Sequence, residues 1–131
     1  MGGLHRYILE FANQHGWETH VDIAGAPAAL TPELEATCFR LIQEALTNAA
    51  KHARATRVDV AIGQADGGLV VRIADDGGGF EPGAEPQAGS GRVGLRQMHE
   101  RIAALSGRLT VLSRPGAGTE VRAWIPLAIL T

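Results

Sequence analysis

Apolar positions recur along this chain with two periods, about 3.6 and 2, and the switches between them mark out its elements. Leu4, Tyr7, Ile8 and Phe11 predict a short amphipathic helix ending near Gly16. Glu18 to Ile23 alternates and predicts a strand, with Val21 and Ile23 inward, and a turn-rich connector follows from Gly25 to Leu30. Thr31-Pro32 then opens the longest helical pattern, with a hydroxyl for the N-cap and a proline where its missing N–H costs nothing. Leu34, Cys38, Leu41, Ile42, Ala45, Ala49 and Ala53 continue that pattern as one stripe.

Beyond the long helix the period returns to two. Val58, Val60 and Ile62 point inward from a strand over Arg57–Ile62, Asp66-Gly67-Gly68 signals a hairpin turn, and Leu69 to Asp75 forms the next strand. Residues 81–92 are rich in Gly, Pro and Ala and predict a mobile loop with little to bury. Leu95, Met98, Ile102 and Leu105 mark another helix, closed by Gly107. Strands over Arg108–Ser113 and Thr119–Leu127 finish the chain, joined by Arg114 to Gly118. This order predicts an α+β fold in which a mixed sheet carries its helices on one face.

Composition narrows the class. A chain of 131 residues, 45% hydrophobic and 20% charged, is an ordinary globular chain long enough for one core. A net charge of −2 gives no reason to expect a nucleic-acid or membrane-surface partner. No apolar run approaches the roughly 20 residues that span a bilayer. The single cysteine, Cys38, lies on the apolar stripe and reads as a small core residue in a reducing compartment. Met1-Gly2-Gly3 reads as an addition ahead of the natural sequence, which implies a piece of a longer protein.

Two places carry candidate chemistry. Glu44 and Asn48 are four apart and stack on one helix face, at the rim of the apolar stripe beside Thr37 and Lys51. Such a rim is either a solvated edge or a ligand site. Asp75 shares the parity of Leu69, Val71 and Ile73, so it projects to the interior face, where an unpartnered carboxylate is costly. It either caps the next turn or awaits a ligand. Gly77, Gly78 and Gly79 directly after it permit close backbone approach.

Glu44-x3-Asn48, Asp75-x-Gly77-x-Gly79, Gly91-x2-Gly94-Leu95 and Gly118-Thr119 stand in the order and spacing of a known family. They resemble the Bergerat-fold (GHKL) ATP-binding domains of histidine kinases, type II topoisomerases, mismatch-repair ATPases and a heat-shock chaperone. Gln43-Glu-Ala-Leu-Thr-Asn-Ala-Ala-Lys-His-Ala53 and Gly94-Leu-Arg-Gln-Met98-His-Glu-Arg101 resemble the nitrate-sensor branch of sensor histidine kinases. The response regulators of that branch are commonly DNA-binding helix-turn-helix proteins. The resemblance runs from Leu4 to Leu127 and implies a two-layer α/β sandwich in which residues 1–131 are one domain and 81–92 the ATP lid.

It also implies roles. Asp75 would accept a hydrogen bond from the exocyclic amine of adenine, with Thr119 supporting it directly or through a water. Gly77 and Gly79 would let the chain pass close to the base. Asn48 would ligate Mg²⁺, a hard cation suited to oxygen ligands, and Lys51 would add charge near the phosphates, with His52 on the same helix. Gly91, Gly94 and Leu95 would present backbone N–H groups to phosphate at a helix start. Glu44 would act as a general base or orient Mg²⁺ and its waters. Arg92 stands where the family has the first glycine of Gly-x-Gly-Leu. None of the five histidines, His5, His15, His20, His52 and His99, sits in an acidic, arginine-flanked dimerisation helix. The implied function is the cytoplasmic catalytic domain of a sensor histidine kinase, passing the γ-phosphate of Mg-ATP to a histidine on a separate dimerisation domain. An anti-sigma-factor serine kinase and a non-catalytic nucleotide-binding module remain alternatives.

Overall fold

The computed structural model describes residues 2–27, 29–53, 55–78 and 92–127. Gly2–His15 forms α1, Glu18–Asp22 β1 and Pro32–Asn48 α2, which passes into a π-helical turn at Ala49–Ala53. Arg57–Ala65 is β2, Gly68–Asp75 β3, Arg92–Ala104 α3, Arg108–Ser113 β4 and Thr119–Pro126 β5. The strands make one sheet in the order β1-β2-β3-β5-β4. β1 runs parallel to β2 and every other neighbouring pair is antiparallel. The sheet is therefore mixed, as the element order implies.

Alternation decides which face is covered. Val58, Val60, Ile62, Leu69, Val71, Ile73, Val121, Ala123 and Ile125 are all buried and share one face. Against them pack Leu4 and Ile8 of α1, Leu34 to Leu46 of α2, and Leu95, Met98 and Ile102 of α3, in one continuous core. Burying each large aliphatic side chain contributes about 1.5–3 kcal/mol. The opposite face carries Arg72, Glu120 and Arg122 in an ion network, with Arg108 over the Trp124 ring at 5.7 Å. The helix layer therefore lies on the side that Asp75's parity selects.

Local chemistry sets the ends. Thr31 caps α2 as its sequence suggests, its Oγ1 accepting the Leu34 N–H at 3.2 Å. The β2–β3 hairpin closes through Asp66 and Gly67, both at positive φ, which makes the tight two-residue turn favoured between twisted strands. Its tightness lengthens β2 to Ala65, three residues past the expected end. At the close of α3 the left-handed residue is Ser106, not Gly107. Gly107 is required for a different reason, since a Cβ there would lie 2.5 Å from the Trp124 carbonyl oxygen.

The α2 stripe needs two corrections. Thr37 is fully buried, its hydroxyl donating to the Glu33 carbonyl at 2.8 Å, so it belongs to the core and not to the rim. The helical pattern is also not α-helical throughout: from Ala49 the turn widens to i→i+5 bonding. Cys38 is buried as expected, and burial pushes its thiol up to about 12, which leaves it protonated and inert. Among the described residues no helix is long and apolar enough to cross a membrane.

Candidate functional site

Strand register builds one half of the candidate site. Asp75 is the last residue of β3 and pairs with Thr119, the first of β5; Thr119 in turn pairs with Ser113, the last of β4. Directly opposed residues share a face, so these three side chains form a row across three strands on the helix-covered side. Asp75 Oδ1 accepts the Gly77 N–H at 2.8 Å. Burial holds the Asp75 carboxyl above the ordinary carboxylate range, outweighing the hydrogen bonds it accepts from the backbone of Gly77 and Thr119; the charge on Asp76 adds to the rise. Asp75 thus caps the glycine turn, with its carboxylate on the helix-covered face.

Glycines bring the neighbouring backbone close. Gly77 is buried. Gly118 lies at φ +83, and a Cβ there would sit 2.2 Å from the carbonyl oxygen of Asp75. Only glycine lets β5 start against the end of β3 in this way. The tip of the β4–β5 hairpin also meets the glycine turn, the Gly116 N–H donating to the Gly78 carbonyl.

The other half lies at the end of α2. Asn48 is its last α-helical residue, and both its amide atoms, Oδ1 and Nδ2, are buried without a hydrogen-bond partner among the described residues. An amide left so costs about 1–3 kcal/mol, which the fold tolerates only where something else meets it. Glu44, one turn earlier, is mostly buried and pairs with Arg40 at 3.4 Å. Lys51 lies in the π-turn and is exposed. The widened turn shifts Lys51 and His52 from where α-helical spacing would put them relative to Asn48, while the Glu44–Asn48 spacing is unaffected. The side chain of His52 lies outside the described part.

On the same face of the sheet, packed beside α2, α3 begins at Arg92, three residues earlier than its hydrophobic pattern suggests. Gly94 falls in the first turn of that helix, where backbone N–H groups have no intrahelical partner. Leu95 is 6% exposed and belongs to the core, so it anchors the start of α3. Gly79, Gly91 and the expected lid up to residue 91 lie outside the described residues.

Two groups escape a reading by sequence. Ser113 shares the parity of Leu109 and Val111, but its neighbours follow only from the register. Asp76 accepts N–H bonds from Thr56 at 2.8 Å and Arg57 at 2.9 Å, and the Thr56 hydroxyl at 2.6 Å. Those bonds, the Thr56 hydroxyl first, hold its carboxyl below the ordinary range.

The model of histidine kinase-, DNA gyrase B- and HSP90-like ATPases matches residues 33–129, and the chain belongs to that family. It is an ATP-binding module of that fold. Sensor histidine kinase MctS of Rhizobium johnstonii is 34% identical over 123 residues, covering 94% of this chain and 26% of the relative. The signal transduction histidine-protein kinase/phosphatase DegS of Brevibacillus brevis is 32% identical over 124 residues, covering 95% of this chain and 31% of the relative. The chain thus spans between a quarter and a third of these curated relatives. Among solved structures, the histidine kinase domain of the Erythrobacter litoralis EL346 blue-light activated histidine kinase superposes with a TM-score of 0.73 at 28% identity, over 95% of this chain and 63% of that one. Full-length ShkA in complex with AMPPNP gives 0.77 at 25% identity, over 98% of this chain and 30% of that one.

Proposed function

We propose that this chain is the catalytic domain of a two-component sensor histidine kinase, working in the cytoplasm. It binds Mg-ATP and donates the γ-phosphate to a histidine on a dimerisation domain of the same kinase, from which a response regulator is charged. The observation that carries this reading is Asn48: a buried amide with no partner among the described residues, on the helix beside the core, has the right chemistry for a cation that keeps waters and phosphate oxygens as its other ligands. Among the described residues no group of three or more His, Cys, Asp or Glu side chains is placed to hold a metal, so such a cation depends on oxygens brought by the nucleotide. Mg²⁺ supplies charge neutralisation at the transferring phosphoryl group when bound.

The chain's own residues divide the remaining work. Asp75 accepts from the exocyclic amine of adenine, and Gly77, Gly79 and Gly118 keep the surrounding backbone close. Gly91 and Gly94 offer N–H groups to phosphate, and Lys51 and His52 lie on the π-turn nearby. For Glu44 to order water or the metal's ligand sphere it must release Arg40, a partly exposed ion pair worth at most about 1 kcal/mol. Catalysis rests on positioning. The motifs at Gln43–Ala53 and Gly94–Arg101 favour the nitrate-sensor branch, and likeness to DegS is consistent with it.

The test is transfer from γ-labelled ATP to a separately produced dimerisation domain. Label on its histidine is expected with the wild-type chain and none with Asn48→Ala. ATP binding without any transfer points to a regulatory nucleotide-binding module, and label on a protein serine to a serine kinase.

A further inference from the structure

The two edges of the sheet meet solvent differently. β1 turns Glu18, His20 and Asp22 to the open face, so a charge or an imidazole stands at every outward position. Charges of this kind keep an edge strand from pairing with another chain. β4, at the other edge, turns Arg108, Thr110 and Leu112 outward. Leu112 is 57% exposed, the most of any large apolar side chain among the described residues. No described strand pairs with the outer side of β4. Bonding alternates along an antiparallel strand, and its phase here is set by the Arg114 N–H, which donates to the Gly118 carbonyl at 3.5 Å. Leu112, Thr110 and Arg108 therefore bond toward β5, and the N–H and C=O groups of Leu109 and Val111 face the outer edge.

We infer that β4 is a docking edge for the β4 strand of a second copy of this chain, antiparallel about a twofold axis. The alternation of faces and the phase of bonding admit a pairing centred on Thr110. There Thr110 opposes the same residue of the other copy and Arg108 opposes Leu112, while Leu109 and Val111 exchange backbone bonds across the join. No like charges meet, a Thr–Thr pair is favourable across strands, and the aliphatic stem of Arg108 covers the exposed leucine. The equivalent pairing of β1 with itself about His20 sets Glu18 against Asp22, two carboxylates face to face. Charge thus selects β4 over β1. The join runs only from Arg108 to Leu112, far less than a standard interface, so it is weak, with dissociation between micromolar and millimolar. The inference does not depend on nucleotide. On the kinase reading above, the dimerisation domain brings two catalytic domains to a high effective concentration, at which a weak contact suffices.

The experiment is sedimentation equilibrium of the whole chain from micromolar to millimolar concentration, with amide exchange at both ends of that range. A monomer–dimer equilibrium is expected. The amides of Leu109 and Val111 gain protection as the dimer forms, while those of Arg108, Thr110 and Leu112, already bonded to β5, change little. Thr110→Asp and Thr110→Lys each set like charges across the axis and are expected to weaken the dimer about three- to tenfold. An equimolar mixture of the two variants sets opposite charges there and is expected to recover the wild-type affinity or exceed it. Thr110 is exposed, so neither change touches the core, and the wild-type exchange result stands should either variant fold poorly. A chain that stays monomeric at millimolar concentration, growth beyond the dimer, a mixture no tighter than either variant alone, or a dimer that leaves Leu109 and Val111 unprotected each overturn the inference.

Discussion

β3 ends on Asp75 and is followed at once by Asp76, and these two aspartates face two different regions. Asp75 turns inward beneath the helices, where burial raises its carboxyl and the backbone of Gly77 and Thr119 partly offsets the cost. Asp76 turns outward to the corner where β2 begins, and is exposed yet bound by Thr56 and Arg57 on both oxygens. The inward one is bonded to backbone, but its burial disfavours the charged form; the outward one is bonded on both oxygens and stabilises the fold. Asn48 belongs with Asp75, since its amide is buried and has no partner among the described residues. Beneath the helices the fold hides polar groups at a cost, while at the Asp76 corner it satisfies them in the open.

The largest test of this division is Gly118, on which the inward region closes. Gly118→Ala places a Cβ against the Asp75 carbonyl at positive φ and is expected to cost about 2–4 kcal/mol in chemical denaturation. Gly116→Ala, also at positive φ but with open space around its Cβ position, is expected to cost only about 1 kcal/mol. Equal costs would mean that strain, and not the approach to Asp75, makes Gly118 necessary.

Asn48→Ala comes next. It is expected to weaken Mg-ATP about a hundredfold, the upper end of what even an indirect metal-site partner costs. Without nucleotide the thermal midpoint holds or rises, because an unsatisfied amide has gone. Adenosine, which brings neither phosphate nor metal, is expected to bind as before. A lower midpoint with equal loss of adenosine would move Asn48 to the scaffold side.

Asp75→Asn is expected to lower ATP affinity about tenfold, through a charge-assisted bond worth about 1.5–3 kcal/mol. Its stability effect runs the other way. Asp75's carboxyl is raised in the folded state, so its contribution is fully present below the unfolded carboxylate value and is lost as pH rises through the folded one. At neutral pH the amide is therefore at least as stable as the wild type without nucleotide, and this advantage disappears in acid.

The smallest effect is that of Asp76→Ala, expected to lower the midpoint by a few degrees at neutral pH, discounted for the exposure of its bonds. Here the folded carboxyl is lowered, so the stabilisation is present above the unfolded value and fades as pH falls through the folded one. Wild type and variant converge in acid, and ATP affinity changes less than twofold. A large affinity loss would erase the distinction between the two aspartates.

Much of this was legible in the chain. The parity of Val58 to Ile62 and Leu69 to Asp75 reports a covered sheet face, and Thr31-Pro32 reports a helix start, because both signals are local. The π-turn was not legible: Ala49 and Ala53 fit an α-helical stripe equally well, and small side chains carry no record of one extra residue per turn. Ser113 was invisible for another reason. It neighbours Thr119, and Thr119 pairs with Asp75, only through register between strands far apart in sequence. Asp76 likewise finds partners about a whole hairpin away. Glu44's pairing with Arg40 was available at helical spacing, but the choice between Arg40 and a ligand was not.

That register has a kinetic side. The β2–β3 hairpin closes through Asp66 and Gly67 alone, so it is cheap to nucleate. The β3–β5 ladder waits for α3, β4 and everything between to be laid down. The proposed adenine contacts of Asp75 and Thr119 lie across this long-range ladder, so a base seated there would fasten it. If that ladder forms late, nucleotide is expected to slow unfolding more than it speeds refolding, a latch on a door already shut, which stopped-flow unfolding and refolding with and without ATP would measure.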